Sequence, residues 1–356
     1  MGMPDPLIET LLRSVTELGA SDLHLLAESP PFIRLDGTLK SVDFPELAGE
    51  ELEKICYTLV TEEQKQEFER RHELDFALDL PELGRFRVNF YRSMGNIAAA
   101  FRSIPLSIPL LDDLAAPEIC KEMIGHRKGL ILVTGPTGSG KSTTLAAMLN
   151  EINLREQKHI ITIEDPIEFV HKSGKCLFSH REVGEDVQDF ATALKYALRQ
   201  DPDILLIGEM RDRETIEAAL TAAETGHLVL GTLHTSSAAE TIHRIIDTFS
   251  GDKQAQIRAM LAGSLLGVIA QTLLPKVREG RIAAWETLIN THAISNLIRE
   301  GRIHQIYSQM QLGQENTGMQ TQTQSILALL REGRISKGTA IQYADRKDEL
   351  DRALKL

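Results

Sequence analysis

The fold of this 356-residue chain follows from nine consecutive residues, Gly135-Pro136-Thr137-Gly138-Ser139-Gly140-Lys141-Ser142-Thr143. They follow a short apolar run and precede a segment rich in alanine and leucine, so the pattern predicts a buried strand, a phosphate-binding loop and a helix. In such a loop, backbone N–H groups surround phosphate oxygens, Lys141 reaches the β- and γ-phosphates, and Ser142 binds Mg²⁺. The alternative is a glycine-rich turn that binds nothing. Because the lysine, the hydroxyl and both flanks agree with the motif, we expect residues 135–143 to bind a nucleoside triphosphate.

The composition is that of a globular protein of about two domains, with 42% hydrophobic and 25% charged residues. A formal net charge of -12 disfavours a nucleic-acid translocase, because phosphate backbones require clustered lysine and arginine; no nucleic-acid partner is expected. Three separated cysteines indicate neither a zinc site nor disulfides. The N-terminus does not resemble a signal peptide, and the uncharged run from Ala259 to Leu274 is too short to span a membrane. We therefore expect a buried helix over that run and a protein that is cytoplasmic or lies on a membrane face through a partner.

The chain divides into regions with different patterns. Residues 1–110 mix helical segments and alternating strands, including a hairpin at Asp36-Gly37, which predicts a small α+β domain. Residues 111–128 contain Pro117 and are expected to form a linker. In residues 129–356 apolar strands alternate with helices, which is typical of a doubly wound α/β sheet, and the C-terminal third is expected to be helical. Such a sheet binds its ligand beyond the carboxyl ends of its strands.

Two of the predicted strands end in carboxylates. An apolar strand leads into Glu209, where an acid beside a phosphate loop holds Mg²⁺ or its waters. Another leads into Glu164, Asp165 and Glu168, and hydrolysis needs a carboxylate that orients the attacking water. An acidic turn before a helix is the alternative for this second group. Because strand ends are where such a sheet places its site, we favour the functional interpretation.

Histidines and arginines provide further candidates. His227 and His234 border one apolar strand; each is either structural or a sensor of the γ-phosphate or of a neighbouring subunit, with His234 the catalytic candidate and His227 the nucleotide-binding one. An arginine that faces the γ-phosphate stabilises transition-state charge, often from a neighbouring subunit. Most surface arginines are only solvated charges. The candidates are Arg85, Arg87, Arg92 and Arg102 in the first region, and Arg199, Arg211 and Arg213 around the strand before Glu209.

Four motifs in order resemble those of the secretion ATPases, in particular the retraction ATPases of type IV pili that drive twitching motility. Residues 135–143, 163–168, 208–212 and 226–235 are similar to the Walker A, Asp box, Walker B and His box of that family. The resemblance implies a RecA-like ATPase domain over residues 129–356, with a helical C-terminal region, and a smaller PAS-like domain before it. It also implies a homohexameric motor that binds ATP and Mg²⁺ at the domain junction.

The same resemblance implies roles for single residues. Glu164 corresponds to the carboxylate that activates water, and Glu209 to the acid linked to Mg²⁺, with Ser142 as the other metal ligand. The spacing of Arg87 and Arg102 is similar to that of arginines that reach the nucleotide. Arg199 lies where a further such arginine occurs.

The resemblance finally implies partners and a place of action. Pilus disassembly at the cytoplasmic face of the inner membrane requires a platform protein, and a paralogous pilus ATPase is a further candidate partner. Residues 293–300 are similar to a retraction signature but carry Ser295 where that signature has arginine. Two alternatives stay open, namely an accessory retraction ATPase that depends on a principal motor and a nucleotide-gated ring that is not a motor.

Overall fold

The structure, a computed structural model, describes residues 5–35, 37–80, 83–104, 107–278 and 280–355. The chain divides into two compact units, Met1–Ser107 and Ile108–Leu356. Each has its own sheet and its own buried core. Within the described ranges, no helix is long and apolar enough to cross a membrane.

The described part of the first unit contains three helices and a six-stranded sheet in which all neighbouring strands are antiparallel, in the order β3-β2-β1-β6-β5-β4. The elements in chain order are α1 (Pro6–Leu18), β1 (Asp22–Leu25), β2 (Phe32–Leu35), β3 (Thr38–Ser41), α2 (Gly49–Tyr57), α3 (Glu62–Arg71), β4 (Glu73–Leu80), β5 (Gly84–Ser93) and β6 (Asn96–Ile104).

The predicted hairpin of this unit is present, because Leu35 on β2 pairs with Thr38 on β3 across a two-residue connection. Its glycine, Gly37, has a φ of 80°, which favours glycine, whereas Asp36 lies outside the described residues. Alternate residues of β5, such as Val88 and Phe90, are fully buried under the helices. The irregular order of helices and strands is the α+β pattern that the sequence predicts.

The described part of the second unit contains a seven-stranded sheet in the order β13-β12-β7-β11-β10-β8-β9, parallel except for the edge strand β13. The elements from the start of the unit through β11 are α4 (Ile119–Ile124), β7 (Gly129–Thr134), α5 (Lys141–Arg155), β8 (His159–Glu164), β9 (Leu177–Glu182), α6 (Phe190–Ala197), β10 (Ile204–Ile207), α7 (Arg213–Glu224) and β11 (Leu228–Leu233). They are followed by α8 (Ala238–Asp247), α9 (Gly251–Ser264), β12 (Leu265–Pro275), β13 (Arg281–Ile289), α10 (His292–Glu300), a 3-10 helix (Ile303–Gln305), α11 (Ile306–Thr317), α12 (Gln322–Arg331), α13 (Lys337–Tyr343) and α14 (Lys347–Leu354).

The central strands β7, β10 and β11 are buried along their whole length, because helices cover both faces of the sheet. Their register aligns the carboxyl ends, with Leu233 beside Thr134 and Ile207 beside Ile163. This edge of the sheet is therefore where the predicted phosphate loop and carboxylates meet. The expected α/β fold class is confirmed.

The run from Ala259 to Leu274 is not one helix, and that prediction was wrong. Helix α9 ends at Ser264 and β12 begins at Leu265, where the chain pairs with β7 on one side and β13 on the other. A continuous apolar run fits a buried strand as well as a buried helix, so periodicity alone could not separate them. The helical C-terminal region exists, but it begins after this strand pair.

Residues 111–128, which the sequence predicts as a linker, pack within the second unit. Leu111 and two residues of α4, Cys120 and Met123, belong to the core on one face of the seven-stranded sheet. At the other end of the chain, α12 to α14 form a smaller core against β12 and β13, in which Ile326 and Leu350 are fully buried.

Candidate nucleotide site

The phosphate loop connects the carboxyl end of β7 to the first residue of α5. Three of its glycines have positive φ angles, 145° at Gly135, 79° at Gly138 and 91° at Gly140, a region that favours glycine. A Cβ atom on Gly135 would also lie 2.4 Å from the carbonyl oxygen of Gln271. Glycine is therefore required both for the turn and for the close approach of β12.

Lys141 lies buried at the start of α5 and faces the acidic strand ends. Its Nζ donates hydrogen bonds to the carbonyl oxygens of Gly135 (3.0 Å) and Pro136 (3.2 Å). Burial lowers the pKa of Lys141, while the negative charges of Glu209 and Glu168 act in the opposite direction. The loop and both acidic segments thus belong to one electrostatic site.

The loop fits a phosphate group. The hydroxyl of Ser139 is buried, and its Oγ has no hydrogen-bond partner among the described residues. An unpaired buried hydroxyl is costly, and a phosphate oxygen would pair with it. In the described ranges, no group of three or more His, Cys, Asp or Glu side chains could hold a metal ion.

Gln271 on β12 holds the loop from the side, and sequence reasoning missed it. Its Nε2 donates to the carbonyl oxygen of Ser139 at 2.6 Å. The only sequence signal was an amide side chain in the apolar run that we interpreted as a helix. Read as a strand beside β7, the same run would have placed this amide next to the loop.

The backbone position of Glu209 is fixed by the hydrogen bonds of the preceding residue, Gly208. The N–H of Gly208 donates to the carbonyl oxygen of Ile163 (2.8 Å), and its own carbonyl oxygen accepts from the Thr232 hydroxyl (2.5 Å). A Cβ on Gly208 would lie 3.1 Å from the Cα of Glu164. This close approach places Glu209 and Glu164 on neighbouring strand ends.

The carboxylate of Glu209 has two cationic or hydrogen-bonding neighbours. His234 Nε2 lies 3.0 Å from its Oε1, and Arg211 Nε donates to the same oxygen. Both of these contacts go to Oε1. The structure thus brings together Glu209 and His234, two of the predicted site residues.

Glu164 has a different environment, since the residue is only 8% exposed. Burial, the largest cause, raises its pKa to about 7, and the charges of Glu168 and Glu182 act in the same direction. Hydrogen bonds from the Thr162 hydroxyl and from the N–H of Glu168 (3.5 Å) act in the opposite direction. A carboxyl group with a pKa near 7 can accept a proton at neutral pH.

Two networks fix the segment that follows His234. The hydroxyl of Thr241 donates to the carbonyl oxygen of Ser237 at 2.8 Å, and its oxygen lies 3.3 Å from the Thr134 hydroxyl at the end of β7 and 2.7 Å from the Thr235 hydroxyl. Sequence reasoning missed these threonines because they are ordinary residues of a strand end and a helix.

The second network centres on Glu286 of β13, which is 3% exposed. Its Oε1 accepts from the N–H of Ala238, the first residue of α8, at 2.7 Å, and its Oε2 accepts from the N–H of Gln322, the first residue of α12, at 3.4 Å. Burial raises the pKa of Glu286, and the two N–H groups partly oppose this. One carboxylate therefore caps two helices.

The structure does not bring His227 to the phosphate loop of its own chain. Its carbonyl oxygen accepts from the N–H of Gly129 (3.0 Å), and its Nδ1 lies 3.1 Å from the carbonyl oxygen of Ala222. It therefore precedes β11, and six strand residues, or roughly 20 Å, separate it from the loop end of the sheet.

Arg199 also lies at the amino side of the sheet, shortly before β10, with its guanidinium 5.8 Å from the Tyr196 ring.

The two arginines of the first unit, Arg87 and Arg102, are direct cross-strand neighbours on β5 and β6. Arg102 Nε donates to Asp22 Oδ1 at 2.9 Å, and Arg87 Nη2 lies 3.9 Å from Asp75 Oδ1. Both side chains are about half exposed or more, so their charges face solvent within this unit. Their action on a nucleotide stays a prediction.

A family model described as Type II/IV secretion system protein matches residues 2–347. The chain belongs to this family. The secretion ATPase resemblance of the four motifs is thereby confirmed over nearly the full length, with the phosphate loop and both acidic strand ends inside the matched region.

Individual secretion-family relatives are similar over the same length. The type IV pilus retractation ATPase PilT of Pseudomonas aeruginosa is 49% identical over 95% of this chain and 98% of its own. The twitching motility protein of Neisseria gonorrhoeae is 46% identical over 96% of this chain and 92% of its own. A crystal structure of the pilus retraction motor PilT with bound ADP superimposes with a TM-score of 0.91 at 48% identity, covering 97% of this chain and 99% of that one.

Proposed function

We propose that this chain is a subunit of an ATP-hydrolysing motor that powers the retraction of type IV pili. The observation that carries the proposal is the strand-end site, in which a complete phosphate loop, Glu164 and Glu209 converge in a chain that is similar over its full length to a retraction ATPase. Secretion-family membership supports the ATPase activity. The retraction role is supported by the relatives' names and by the 49% identity.

The loop binds the triphosphate of ATP. Its backbone N–H groups and the start of α5 surround the phosphate oxygens, and the Ser139 hydroxyl gains the partner that it lacks. Lys141 exchanges its two backbone carbonyl partners for the β- and γ-phosphates. Gln271 keeps the loop in place from β12 during this exchange.

Glu164 orients the attacking water and accepts its proton, because its pKa of about 7 keeps a large unprotonated fraction at neutral pH. Glu209 holds negative charge at the next strand end through Arg211 and His234. Ser142 and, through water, Glu209 would hold Mg²⁺. When bound, the ion neutralises charge on the phosphates.

The remaining sequence-based assignments belong to the same proposal. A homohexamer at the cytoplasmic face of the inner membrane acts on a platform protein, with a paralogous pilus ATPase as a further partner. Arg87 and Arg102 supply positive charge to the transferring phosphate, and Arg199 and His227 act toward the nucleotide of a neighbouring subunit rather than toward their own loop.

The experiment that tests the proposal counts surface pili on cells deleted for this gene. We expect excess, non-retracting pili that are reversed by the wild-type gene and by Glu224→Gln, an exposed control at the end of α7, but not by Lys141→Ala. Purified Lys141→Ala protein should lose ATP turnover by orders of magnitude, because the lysine binds the transferred phosphate. Bald cells after deletion would contradict a retraction role, and near-normal turnover of Lys141→Ala would contradict the site.

A further inference from the structure

Three rings stack at the outer strand of the sheet, β9, beside the strand that carries Glu164: Phe178 and His180 lie on β9, and His171 lies in the segment before it. The ring of Phe178 is parallel to that of His171 within 2° at 4.6 Å, and to that of His180 within 12° at 5.6 Å. The backbone N–H of His171 also donates to His180 Nε2 at 3.2 Å. The imidazole of His180 is thus held from its face and from one edge, outside every motif used above.

The other edge of this imidazole contacts the strand of Glu164. His180 Nδ1 lies 2.9 Å from the hydroxyl oxygen of Thr162, and the two residues are register partners on β9 and β8. Thr162 is fully buried. It precedes Glu164 by two residues, so both side chains lie on the same face of the strand, and its hydroxyl is hydrogen-bonded to the carboxyl of Glu164.

The direction of these hydrogen bonds follows from the number of available protons. The hydroxyl of Thr162 has one hydrogen, which it can donate either to Glu164 or to His180. The His171 N–H, which is closer to His180 Nε2 than the His171 carbonyl oxygen is (3.4 Å), requires Nε2 to accept. The proton of a neutral His180 is then on Nδ1, from which it donates to Thr162. The Thr162 hydrogen remains for the carboxylate.

We propose that His180 and Thr162 are positioning residues for Glu164: His180 fixes the Thr162 hydroxyl, and that hydroxyl holds the carboxylate in its water-orienting conformation. This inference rests on the assignment of Glu164 as the base in the proposed function.

The hydroxyl favours the charged form of the carboxyl, whereas burial and the facing charges of Glu168 and Glu182 oppose it. Loss of the donor therefore raises the pKa of Glu164. A base with a higher pKa is protonated over a wider range, so turnover should require a higher pH.

The test measures kcat and KM for ATP between pH 5.5 and 9 with the full-length protein. For Thr162→Val we expect the acid limb of the kcat profile to move up by about one pH unit, so that kcat at pH 6 falls roughly tenfold while KM changes little. Thr162→Ser, the matched control, keeps the hydroxyl, so the acid limb of its kcat profile should stay at the wild-type pH. If Thr162 only packs, Thr162→Val should lower kcat equally at all pH values or leave the whole profile unchanged. Either result overturns the proposal.

A second pair of variants tests the role of the His180 imidazole. It also replaces the first test if Thr162→Val does not fold. In His180→Gln the amide can donate to Thr162 and accept from His171, so the profile should stay near that of the wild type. In His180→Phe the ring stack remains but the donor is lost, and the limb should move in the direction seen for Thr162→Val. Equal profiles for the two variants would overturn the proposal.

Glu164→Gln separates this proposal from the one on which it rests. If that variant turns over ATP normally, the assigned base is wrong and both proposals fall. If it is inactive while Thr162→Val and His180→Phe keep the wild-type profile, only the positioning role falls.

Discussion

The carboxyl ends of β8 and β10 are neighbours in one sheet, yet they place their glutamates in opposite environments. Glu164 is buried, and the hydrogen bonds found to it come from a threonine hydroxyl and a backbone N–H. Glu209 is more exposed and lies against Arg211 and His234. Burial favours the neutral form of Glu164, whereas Glu209 has the Arg211 guanidinium as a charged partner. This difference in environment matches the two roles that we propose, with Glu164 as the proton acceptor and Glu209 as the acid linked to Mg²⁺.

The largest effect should come from removing the proton acceptor. Glu164→Gln keeps the shape of the side chain but cannot take a proton from water, so kcat should fall by about 10²- to 10⁴-fold. The KM for ATP should change little, because Glu164 does not bind the phosphates. Steady-state ATPase assays measure both values, with the exposed Glu185→Gln as a matched control. Turnover within a few-fold of the wild type would show that the base lies elsewhere.

The second effect concerns stability. The pKa of Glu164 is raised from 4.5 to about 7 in the folded protein, so its contribution to stability is present below pH 4.5 and is lost as the pH rises through 7. The shift corresponds to about 3 kcal/mol of unfolding free energy, or two orders of magnitude in the equilibrium constant. Glu164→Gln cannot ionise and should lose less stability than the wild type between pH 5 and pH 8.

Denaturant unfolding of the nucleotide-free protein at the two pH values measures this difference. Glu185→Gln serves as the comparison, because the residue is exposed and its substitution leaves the buried Glu164 in place. A Glu164→Gln protein with the wild-type pH dependence would contradict the environment described for β8.

The smallest effect should come from removing the charge of Glu209. Glu209→Gln removes the charge that we propose to hold Mg²⁺-bound water, so the Mg²⁺ concentration at half-maximal turnover should rise about 10- to 100-fold. Magnesium titrations of ATPase activity at saturating ATP measure this shift. Glu164→Gln is the control, since its residual activity should keep the wild-type Mg²⁺ dependence. An unchanged Mg²⁺ requirement in Glu209→Gln would remove the distinction between the two glutamates.

Local sequence predicts one part of this site and not the other. The phosphate loop could be predicted because its glycines, lysine and hydroxyl are consecutive and their roles follow from backbone geometry. The rule that ligands bind beyond the carboxyl ends of strands placed Glu164 and Glu209. The same rule, applied to His227, would have separated it from the loop, because that histidine precedes its strand rather than following it.

Contacts made through sheet pairing were beyond local reasoning. Gln271 reaches the loop 132 residues earlier in the chain, and His180 reaches Thr162 only because β9 pairs with β8. The sequence around Gln271 was uncharged and apolar, so it carried no signal that distinguishes a helix from a strand. Such residues are found only when strand order is known.

Glu286 has a mechanical consequence for the whole second unit. Its two oxygens are shared between the first residue of α8, four positions after His234, and the first residue of α12 in the C-terminal region. Separating these helices would leave a buried N–H group unpaired, at a cost of about 1–3 kcal/mol. The segment after His234 and the C-terminal helices are therefore coupled through one carboxylate. Conformations in which they separate are populated only in a minority of molecules.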